Sequence, residues 1–511
     1  MKKNIIKTFS SVFLITLVAK VLGLLRDIVF ANFYGTGMEA TAYFAAIKIP
    51  TQIVDLVLSS AIVSTFIPVF NEIMQKDGKE KANKFAGNFI NVVTVVATGI
   101  SIFGMLFAPQ IVNWLAGGFD AQTYNLTVEL IRITFPMIIF TAMAFSFVGF
   151  LQSYGEFNIP AAISGISNLI VIGFLLFFSN TTGIHGVALC MVIAWALQLI
   201  IQLPHAKKFG YNFGFNIDFK DPNLKKVFLL SIPILISTAV LPINNLVSTR
   251  LASGMDEGAV PALEYAYKLY IVISGVFTYA IGNIIFPELS RASSNKDGTE
   301  FKSIISKAIK LLAFILIPLT VGIIIYREDI VSVMYQRGEF DLTSTIQTSS
   351  ALLYYAIGII GAGIVEIMNK SFYAKQDTKT PLFVGASIII VNIILSILLG
   401  NTAMTFSGLA LATSITALIN ALVLTIIINK KEKGILSKDL LIHFGKVVIS
   451  TIIMAFAVIG INGLLVGVLE NNLTMHIIRM IIGAVCGLIT YFILTACLKV
   501  NEFKILLGGK K

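Results

Sequence analysis

Charged side chains interrupt the first apolar segment of this chain. Lys20, Arg26 and Asp27 lie in an otherwise apolar run over residues 9–35. An ionisable group at bilayer depth costs about 2.5–3.5 kcal/mol on insertion scales, and such groups usually face a bundle interior or a watery cavity. Guanidinium and ammonium groups in such a cavity donate charge-assisted hydrogen bonds to phosphate oxygens. The pattern therefore predicts a polar, mostly cationic cavity inside a membrane protein.

The same arrangement recurs along the chain at helical spacing. Residues that are four, seven or eleven positions apart share one face of a helix, so the charges form polar stripes. The predicted site consists of the cations Lys20, Arg26, Lys48 and Lys268, the acids Asp27, Asp55 and Glu264, and the amide Gln52. The surplus of cations favours an anionic ligand. The alternative is that these charges form buried pairs that only hold helices together.

The composition is that of a membrane protein with many spans. Hydrophobic residues make up 56% of the chain, charged residues make up only 13%, and the mean hydropathy is +0.87. Because a spanning helix needs about 20 apolar residues, we predict an all-α membrane protein with about 14 transmembrane helices. The predicted segments cover about residues 9–34, 40–71, 86–116, 124–151, 158–179, 184–204, 225–252, 260–287, 303–326, 344–372, 381–400, 405–428, 440–466 and 474–498.

The basic residues fall on one side of the predicted membrane. When alternate connections are assigned to opposite sides, the side with both chain ends holds 27 of the 38 basic residues. The other side holds only Arg327 and Arg337. Short cytoplasmic loops carry such an excess, so both termini are predicted to be cytoplasmic. Since this asymmetry and the attraction to anionic lipid explain most of the net charge of +11, we expect no nucleic-acid partner.

An internal repeat appears when the sequence is shifted by about 220 residues. The shift aligns Lys48 with Lys268, and it aligns the turn at residues 150–160 with the turn at 372–381. Because it spans six segments, the two halves have the same orientation, and transporters of that build bind substrate between the halves. The predicted parts are a six-helix lobe at residues 1–215, a second six-helix lobe at 216–432, and two additional helices with a cytoplasmic tail at 433–511.

Other polar residues give weaker patterns. We predict that Glu129 pairs with Arg132 and that Glu366 pairs with Lys370, because each pair lies within one helical turn. The alternative is that these residues line the mouth of the cavity. The three cysteines and four histidines are dispersed, without the spacing of a disulfide framework or a metal site. We therefore expect no cofactor and no metal. The chain also lacks a G-x-x-x-x-G-K-[ST] phosphate loop, so a coupling cation or the membrane potential is the expected energy source.

Several motifs, taken in order, resemble a known family. They are KVLGLLRDIVFANFYG at residues 20–35, YFAAIKIP at 43–50, TFIPVF at 65–70, GNIIFPELS at 282–290, RGEFD at 337–341 and FYAKQDTKTP at 372–381. Together they resemble the MurJ/MviN lipid II flippases of the multidrug/oligosaccharidyl-lipid/polysaccharide exporter superfamily, and the resemblance covers almost the whole chain. The predicted fourteen helices, with two beyond a six-plus-six repeat, agree with that family.

The resemblance implies a function and a set of binding residues. The substrate would be the lipid-linked peptidoglycan precursor, moved from the inner to the outer leaflet of a bacterial plasma membrane by alternating access. The family's cavity residues carry over to Arg26, Asp27, Lys20 and Lys268, the last two where members often have arginine. A further family arginine falls at about Val54, and an acid of some members falls at about Ser59, so neither is present. Lys48, which does match, is the expected substitute or a helper.

Two other classes of function stay open at this point. An exporter of another polyprenyl-pyrophosphate-linked glycan, or a multidrug exporter, would share the fold, although cationic drugs would favour an acidic cavity. A membrane glycosyltransferase or polymerase would need catalytic carboxylates in an outer loop, and Asp256, Glu257, Glu328 and Asp329 are the nearest candidates. We expect these four to be solvated loop ends. We also expect a monomer that contacts membrane lipids, its glycan substrate and cell-wall synthesis proteins.

Overall fold

The fold is helical throughout the residues that can be described. A computed structural model describes residues 2–53, 65–238, 240–293, 298–432, 434–466, 473–500 and 502. Every regular element in these ranges is a helix. Side chains of residues 2–10 are not considered below. Asp55 of the predicted site, with Val54 and Ser59, lies outside the described residues.

Nineteen helices are described, and they follow the predicted apolar segments. They are α1 Lys2–Tyr34, α2 Met38–Ile53, α3 Ile67–Asp77, α4 Lys79–Leu106, α5 Ala108–Ala116, α6 Ala121–Thr134, α7 Met137–Ser153, α8 Asn158–Lys208, α9 Pro222–Thr238, α10 Val240–Ala252, α11 Ala259–Ala292, α12 Thr299–Ile325, α13 Arg327–Tyr335, α14 Leu342–Ile357, α15 Ile359–Ala374, α16 Lys379–Gly400, α17 Phe406–Lys431, α18 Lys438–Val466 and α19 Leu473–Cys497.

The described residues contain nine helical stretches that are long and apolar enough to cross a membrane, and α6 and α7 together form one of them. The number rises to ten if α14 and α15, which meet at an angle of 44° beside Gly358, form one bent span. The two segments predicted at 158–179 and 184–204 are the halves of α8, which is interrupted at Gly183, where φ is +62°. The chain is therefore a multi-pass membrane protein, and the count of 14 stays a prediction.

The chain forms two compact units. Unit 1 contains Met1–Pro261 together with Gly338–Phe340, and unit 2 contains Ala262–Arg337 and Asp341–Lys511. The predicted boundaries at residues 216 and 433 divide the chain according to its sequence repeat. The two units are instead defined by how compactly the folded chain packs. The boundaries of the repeat stay a prediction.

A short segment between α13 and α14 joins unit 1 through two glycines. The backbone N–H of Glu339 donates to the Asn32 carbonyl at 2.9 Å, at the end of α1. A Cβ on Gly338 would lie 2.2 Å from the Asn32 oxygen, and a Cβ on Gly35 would lie 2.2 Å from the Glu339 oxygen. Both glycines also have positive φ, +56° and +50°. The contact therefore requires glycine at both positions for reasons of space as well as backbone conformation.

We predict that Gly338→Ala destabilises the protein more than Gly155→Ala. Both substitutions place a side chain at positive φ, which costs roughly 1–2 kcal/mol. Gly155 has φ of +81° and no atom within 4 Å of an added Cβ, so it lacks the backbone overlap that Gly338 would suffer. Thermal unfolding of the two purified variants in detergent would measure the difference. Equal shifts in unfolding temperature would show that the close approach at Asn32 contributes nothing.

The turn between α7 and α8 is held by an aromatic side chain. Tyr154 donates its hydroxyl to the Asn83 side-chain oxygen at 2.6 Å, and its ring stacks on Phe209 at 4.9 Å between centroids. Phe209 directly follows the end of α8. The stacking thereby connects the turn that precedes α8 to the C-terminal end of α8.

The turn between α15 and α16 is held by charge instead. Asp377 accepts a hydrogen bond from the Thr380 N–H at 3.0 Å and pairs with the Lys431 ammonium at 2.5 Å. Lys431 is the last residue of α17. The hydrogen bond from Lys431 holds the pKa of the Asp377 carboxyl at about 2, below its ordinary value of 3.8.

We predict that Asp377→Asn lowers stability at neutral pH and has little effect near pH 2. Because the folded state favours the ionised carboxylate, its contribution is complete above the unfolded pKa and is lost as the pH falls through about 2. Unfolding temperatures of the variant and the parent, measured from pH 7 down to pH 2, would converge. Glu80→Gln, which changes an exposed carboxylate on α4, serves as the control. A gap that stays constant over this range would contradict the assignment.

Candidate functional site

Arg26 and Asp27 form an ion pair within the first apolar helix. Arg26 donates from Nη2 at 2.8 Å and from Nε at 3.1 Å, both to Oδ1 of Asp27. Consecutive residues point about 100° apart on a helix, so the long arginine side chain must curve around α1 to reach its neighbour. Asp27 is buried, whereas Arg26 keeps 27% of its side chain exposed. The pair thus presents a fixed cation at a partly open surface.

A residue of α8 also binds the Arg26 guanidinium. The Nη1 group of Arg26 donates to Oδ1 of Asn168 at 3.1 Å. The helices approach closely here, since an added Cβ on Gly23 would lie 3.3 Å from the Asn168 amide nitrogen. Neutral Asn168 was not among the predicted site residues. Its only sequence signal is an amide next to Ser167 in an apolar run.

A small cavity with several polar side chains in its wall adjoins this arginine. Its volume is about 170 Å³. Gln198 and Ser167 in its wall are joined by a hydrogen bond of 2.8 Å. The lining side chains of unit 1 are Arg26, Ser164, Ser167, Asn168, Val171, Met191, Ala194, Trp195 and Gln198. Polar groups around a cation inside a membrane segment are the surroundings that the sequence predicts.

The other predicted residues of unit 1 differ in exposure. Lys20 is exposed, and Lys48 and Gln52 are half-buried. The Thr51 hydroxyl donates to the Lys48 carbonyl at 3.0 Å, which is a contact within α2. Their roles as ligands of a substrate stay predictions.

Unit 2 holds the predicted pair on α11. Glu264 and Lys268 are both half-buried, and the Lys268 ammonium lies 6.0 Å from the centre of the Tyr265 ring. Tyr265 is fully buried and packs against Tyr335, with 4.9 Å between ring centroids. An ammonium at this distance from an aromatic ring is within the range of a cation–π contact. The Lys268 ammonium thus lies within reach of a buried aromatic pair.

A comparison with protein families decides what kind of protein this is. The family model described as "Lipid II flippase MurJ" matches residues 30–478. The chain belongs to the lipid II flippase MurJ family. The resemblance inferred from the motifs is therefore confirmed, and the MurJ family consists of transporters rather than enzymes.

Individual relatives agree with the MurJ assignment. The probable lipid II flippase MurJ of Rhizobium tropici is 28% identical over 468 residues, covering 90% of this chain and 87% of the relative. The probable lipid II flippase MurJ of Rickettsia prowazekii is 29% identical, covering 87% of this chain and 88% of the relative. The match extends over nearly the full length of both proteins.

Solved structures agree as well. A lipid II flippase MurJ in an inward closed conformation superposes with a TM-score of 0.81 at 27% identity, covering 95% of this chain and 99% of the other. An inward-facing MATE multidrug transporter of the MOP superfamily superposes with a TM-score of 0.67 at 15% identity, covering 81% and 95%. The likeness to the MATE transporter shows a shared fold only. The match to the MurJ family model is what assigns this chain to the MurJ family.

One predicted ion pair is confirmed and one is wrong. Lys370 lies 3.4 Å from Glu366, and it also donates to the Asn283 side chain at 2.7 Å. Glu129 does not pair with Arg132, because its carboxylate contacts His185 Nε2 at 2.8 Å. The partner on α8 lies 56 residues away in sequence, a separation that helical spacing cannot predict.

The four outer carboxylates differ from one another. Asp256 and Glu257 are exposed, as expected, and line a pocket of about 460 Å³. Glu328 is also exposed and pairs with Arg327 at 3.1 Å. The expectation that Asp329 is a solvated loop end is wrong, because this residue is buried against α19.

Asp329 forms a buried cluster with two residues of α19. Arg479 Nη2 donates to Asp329 Oδ1 at 3.0 Å, and the Nδ1 atom of His476 contacts both of them. Arg479 and Asp329 are each less than one-tenth exposed. The contact attaches α13 to α19 within unit 2, which indicates a structural role for this acid.

We predict that Arg479→Met destabilises the protein by roughly 3–5 kcal/mol, because removing one partner leaves a buried charge without compensation. Arg327→Met, which breaks an exposed pair in the same region, should cost less than about 1 kcal/mol. Denaturant unfolding in detergent would measure both. Replacing both buried charges, as Asp329→Leu with Arg479→Met, should recover much of the loss, and failure to do so would contradict the pairing.

Proposed function

We propose that this protein flips lipid II from the inner to the outer leaflet of a bacterial plasma membrane by alternating access. Arg26, Lys20 and Lys48 of unit 1 and Lys268 of unit 2 supply the positive charge for the pyrophosphate. The observation that carries the proposal is the fixed, partly exposed Arg26 guanidinium in an apolar helix of a lipid II flippase family member.

The charge pattern supports a pyrophosphate substrate. A guanidinium presents planar N–H groups that match phosphate oxygens, and in a low-dielectric site such hydrogen bonds are strong. Asp27 accepts from the same guanidinium and therefore competes with a phosphate for it. The Asp27 carboxylate also offsets part of the positive charge that attracts the phosphate, which favours release once the substrate has crossed.

The polyprenyl tail needs an apolar path that stays in contact with lipid. The outer face of α19 offers an apolar groove of about 420 Å³. Its lining includes Ile481, Val485 and Ile489. We propose that the tail follows the two C-terminal helices, α18 and α19, while the headgroup crosses among the polar residues. Translocation then requires no covalent chemistry.

Complementation tests this function. A bacterium depleted of its own lipid II flippase should grow with the intact chain, and growth should be lost with Arg26→Ala and with Lys268→Ala at equal membrane levels. Each hydrogen bond to a charged group contributes roughly 1.5–3 kcal/mol. The affinity of the Arg26→Ala variant for undecaprenyl pyrophosphate in nanodiscs should therefore fall by about tenfold or more.

Arg132→Ala is the matched control, since Arg132 is an exposed arginine on α6 outside the proposed site. It should support growth. Growth that survives both Arg26→Ala and Lys268→Ala would overturn the assigned residues. Failure of a well-inserted intact chain would instead indicate another polyprenyl-linked glycan or a drug as the substrate.

The proposed driving force is the membrane potential acting on charge in the site, or a coupled cation. A potential of 100 mV contributes about 2.3 kcal/mol per elementary charge. Proteoliposomes that hold a potassium diffusion potential without sodium or a proton gradient distinguish the two. Flipping that follows the potential alone would support the membrane potential as the driving force. Flipping that requires an added cation gradient would support a coupled cation.

The proposed topology has 14 spans, six-helix lobes related by a parallel repeat, and both termini in the cytoplasm. It rests on the excess of basic residues in alternate connections. Reporter fusions after residues 215 and 432 should both report the cytoplasm. We also propose a monomer, which mass measurement in detergent would test.

A further inference from the structure

We infer that Asn168 is a positioning residue that holds Arg26 in the orientation in which it binds the pyrophosphate. The inference rests on the proposed function, because it assigns a role within the same site. Asn168 does not itself contact the substrate in this proposal. It acts through the guanidinium.

The hydrogen bonds fix the plane of the guanidinium from two sides. A guanidinium has five N–H groups in a rigid plane. Asp27 accepts from two of them and Asn168 accepts from a third. Acceptors on two different helices define the plane, whereas Asp27 alone would leave the arginine free to swing about one oxygen. The other two N–H groups donate to no acceptor among the described residues and can meet a ligand.

Packing cannot substitute for this hydrogen bond. The cavity of about 170 Å³ lies beside Arg26 and leaves open volume next to the guanidinium. Where a side chain has open volume beside it, van der Waals contacts do not select one rotamer. The Asn168 hydrogen bond therefore decides the orientation on this side.

Asn168 is itself held in place. Its amide nitrogen donates to the Ala19 carbonyl at a long 3.4 Å, so its oxygen points towards Arg26. The nearby backbones are close, because an added Cβ on Gly165 would lie 3.3 Å from the Ala19 Cβ. Next to Asn168, Ser167 accepts from Gln198 at 2.8 Å. A short side chain in such a frame has little freedom to follow a moving arginine.

The test is the affinity for undecaprenyl pyrophosphate in nanodiscs. Asn168→Leu should weaken binding by about tenfold. It should also reduce the preference for undecaprenyl pyrophosphate over undecaprenyl monophosphate, because a freely moving guanidinium loses its two-point match to the pyrophosphate. Asn168→Ser, which is small and lies next to another serine, should lose affinity similarly, since its hydroxyl is too short to reach Arg26.

Asn158→Leu is the matched control. The Ser11 hydroxyl donates to the Asn158 side chain at 2.8 Å, which is another hydrogen bond between α1 and α8 that does not involve Arg26. This variant should bind within about twofold of the parent. Equal losses in Asn158→Leu and Asn168→Leu would assign Asn168 to helix packing and overturn the inference.

A double-mutant cycle separates the inference from the proposed function. In an Arg26→Ala background, Asn168→Leu should cause no further loss of affinity, because its effect passes through the arginine. A full additional loss would show that Asn168 acts independently and would overturn the inference alone. If Arg26→Ala itself binds like the parent, the proposed site fails instead.

Discussion

The structure depends on the cost of placing a permanent charge inside an apolar helix. Arginine stays protonated in proteins, so Arg26 cannot lower this cost by losing its proton. It must find hydrogen-bond acceptors, and it does so with a carboxylate on its own helix and an amide on α8. The same requirement recurs in unit 2, where buried Asp329 contacts both Arg479 and His476. Hydrogen bonds to buried charges thus link α1 to α8 and α13 to α19, while apolar burial supplies the packing around them.

Close backbone approach is the second condition, because the acceptors have short side chains. Asn168 can reach α1 only where Gly23 and Ala19 face α8 without bulk. The segment at Gly338 uses the same means, with backbone against backbone at Asn32. Small residues therefore serve polar contacts as well as apolar packing in this fold. A methyl group in either place would separate a donor from its acceptor.

The sequence predicts the helices well because length and hydropathy are local properties. It does not predict breaks such as the bend at Gly358, since these depend on contacts with distant residues; an added Cβ there would lie 2.7 Å from Ser414. The sequence identifies candidate site residues from charged stripes at helical spacing, and neutral Asn168 lies in an apolar run without such a stripe. The wrong partner for Glu129 has the same origin, because helical spacing describes only neighbours on one helix. Pairs between residues that are distant in sequence can be identified only from the folded structure.

The proposed site contains one arginine and three lysines, and the two residue types suit different tasks. A guanidinium that is held on two sides offers a fixed pair of donors, which gives orientation and selectivity for pyrophosphate. An ammonium is a point charge with three rotatable donors on a flexible chain, so it can follow a phosphate that moves. Lys20, Lys48 and Lys268 are all at least partly exposed. A site of four arginines would hold a pyrophosphate more tightly at each step and would slow its release. One guanidinium held on two sides, combined with ammonium groups, therefore suits a protein that must bind its substrate on one side of the membrane and lose it on the other.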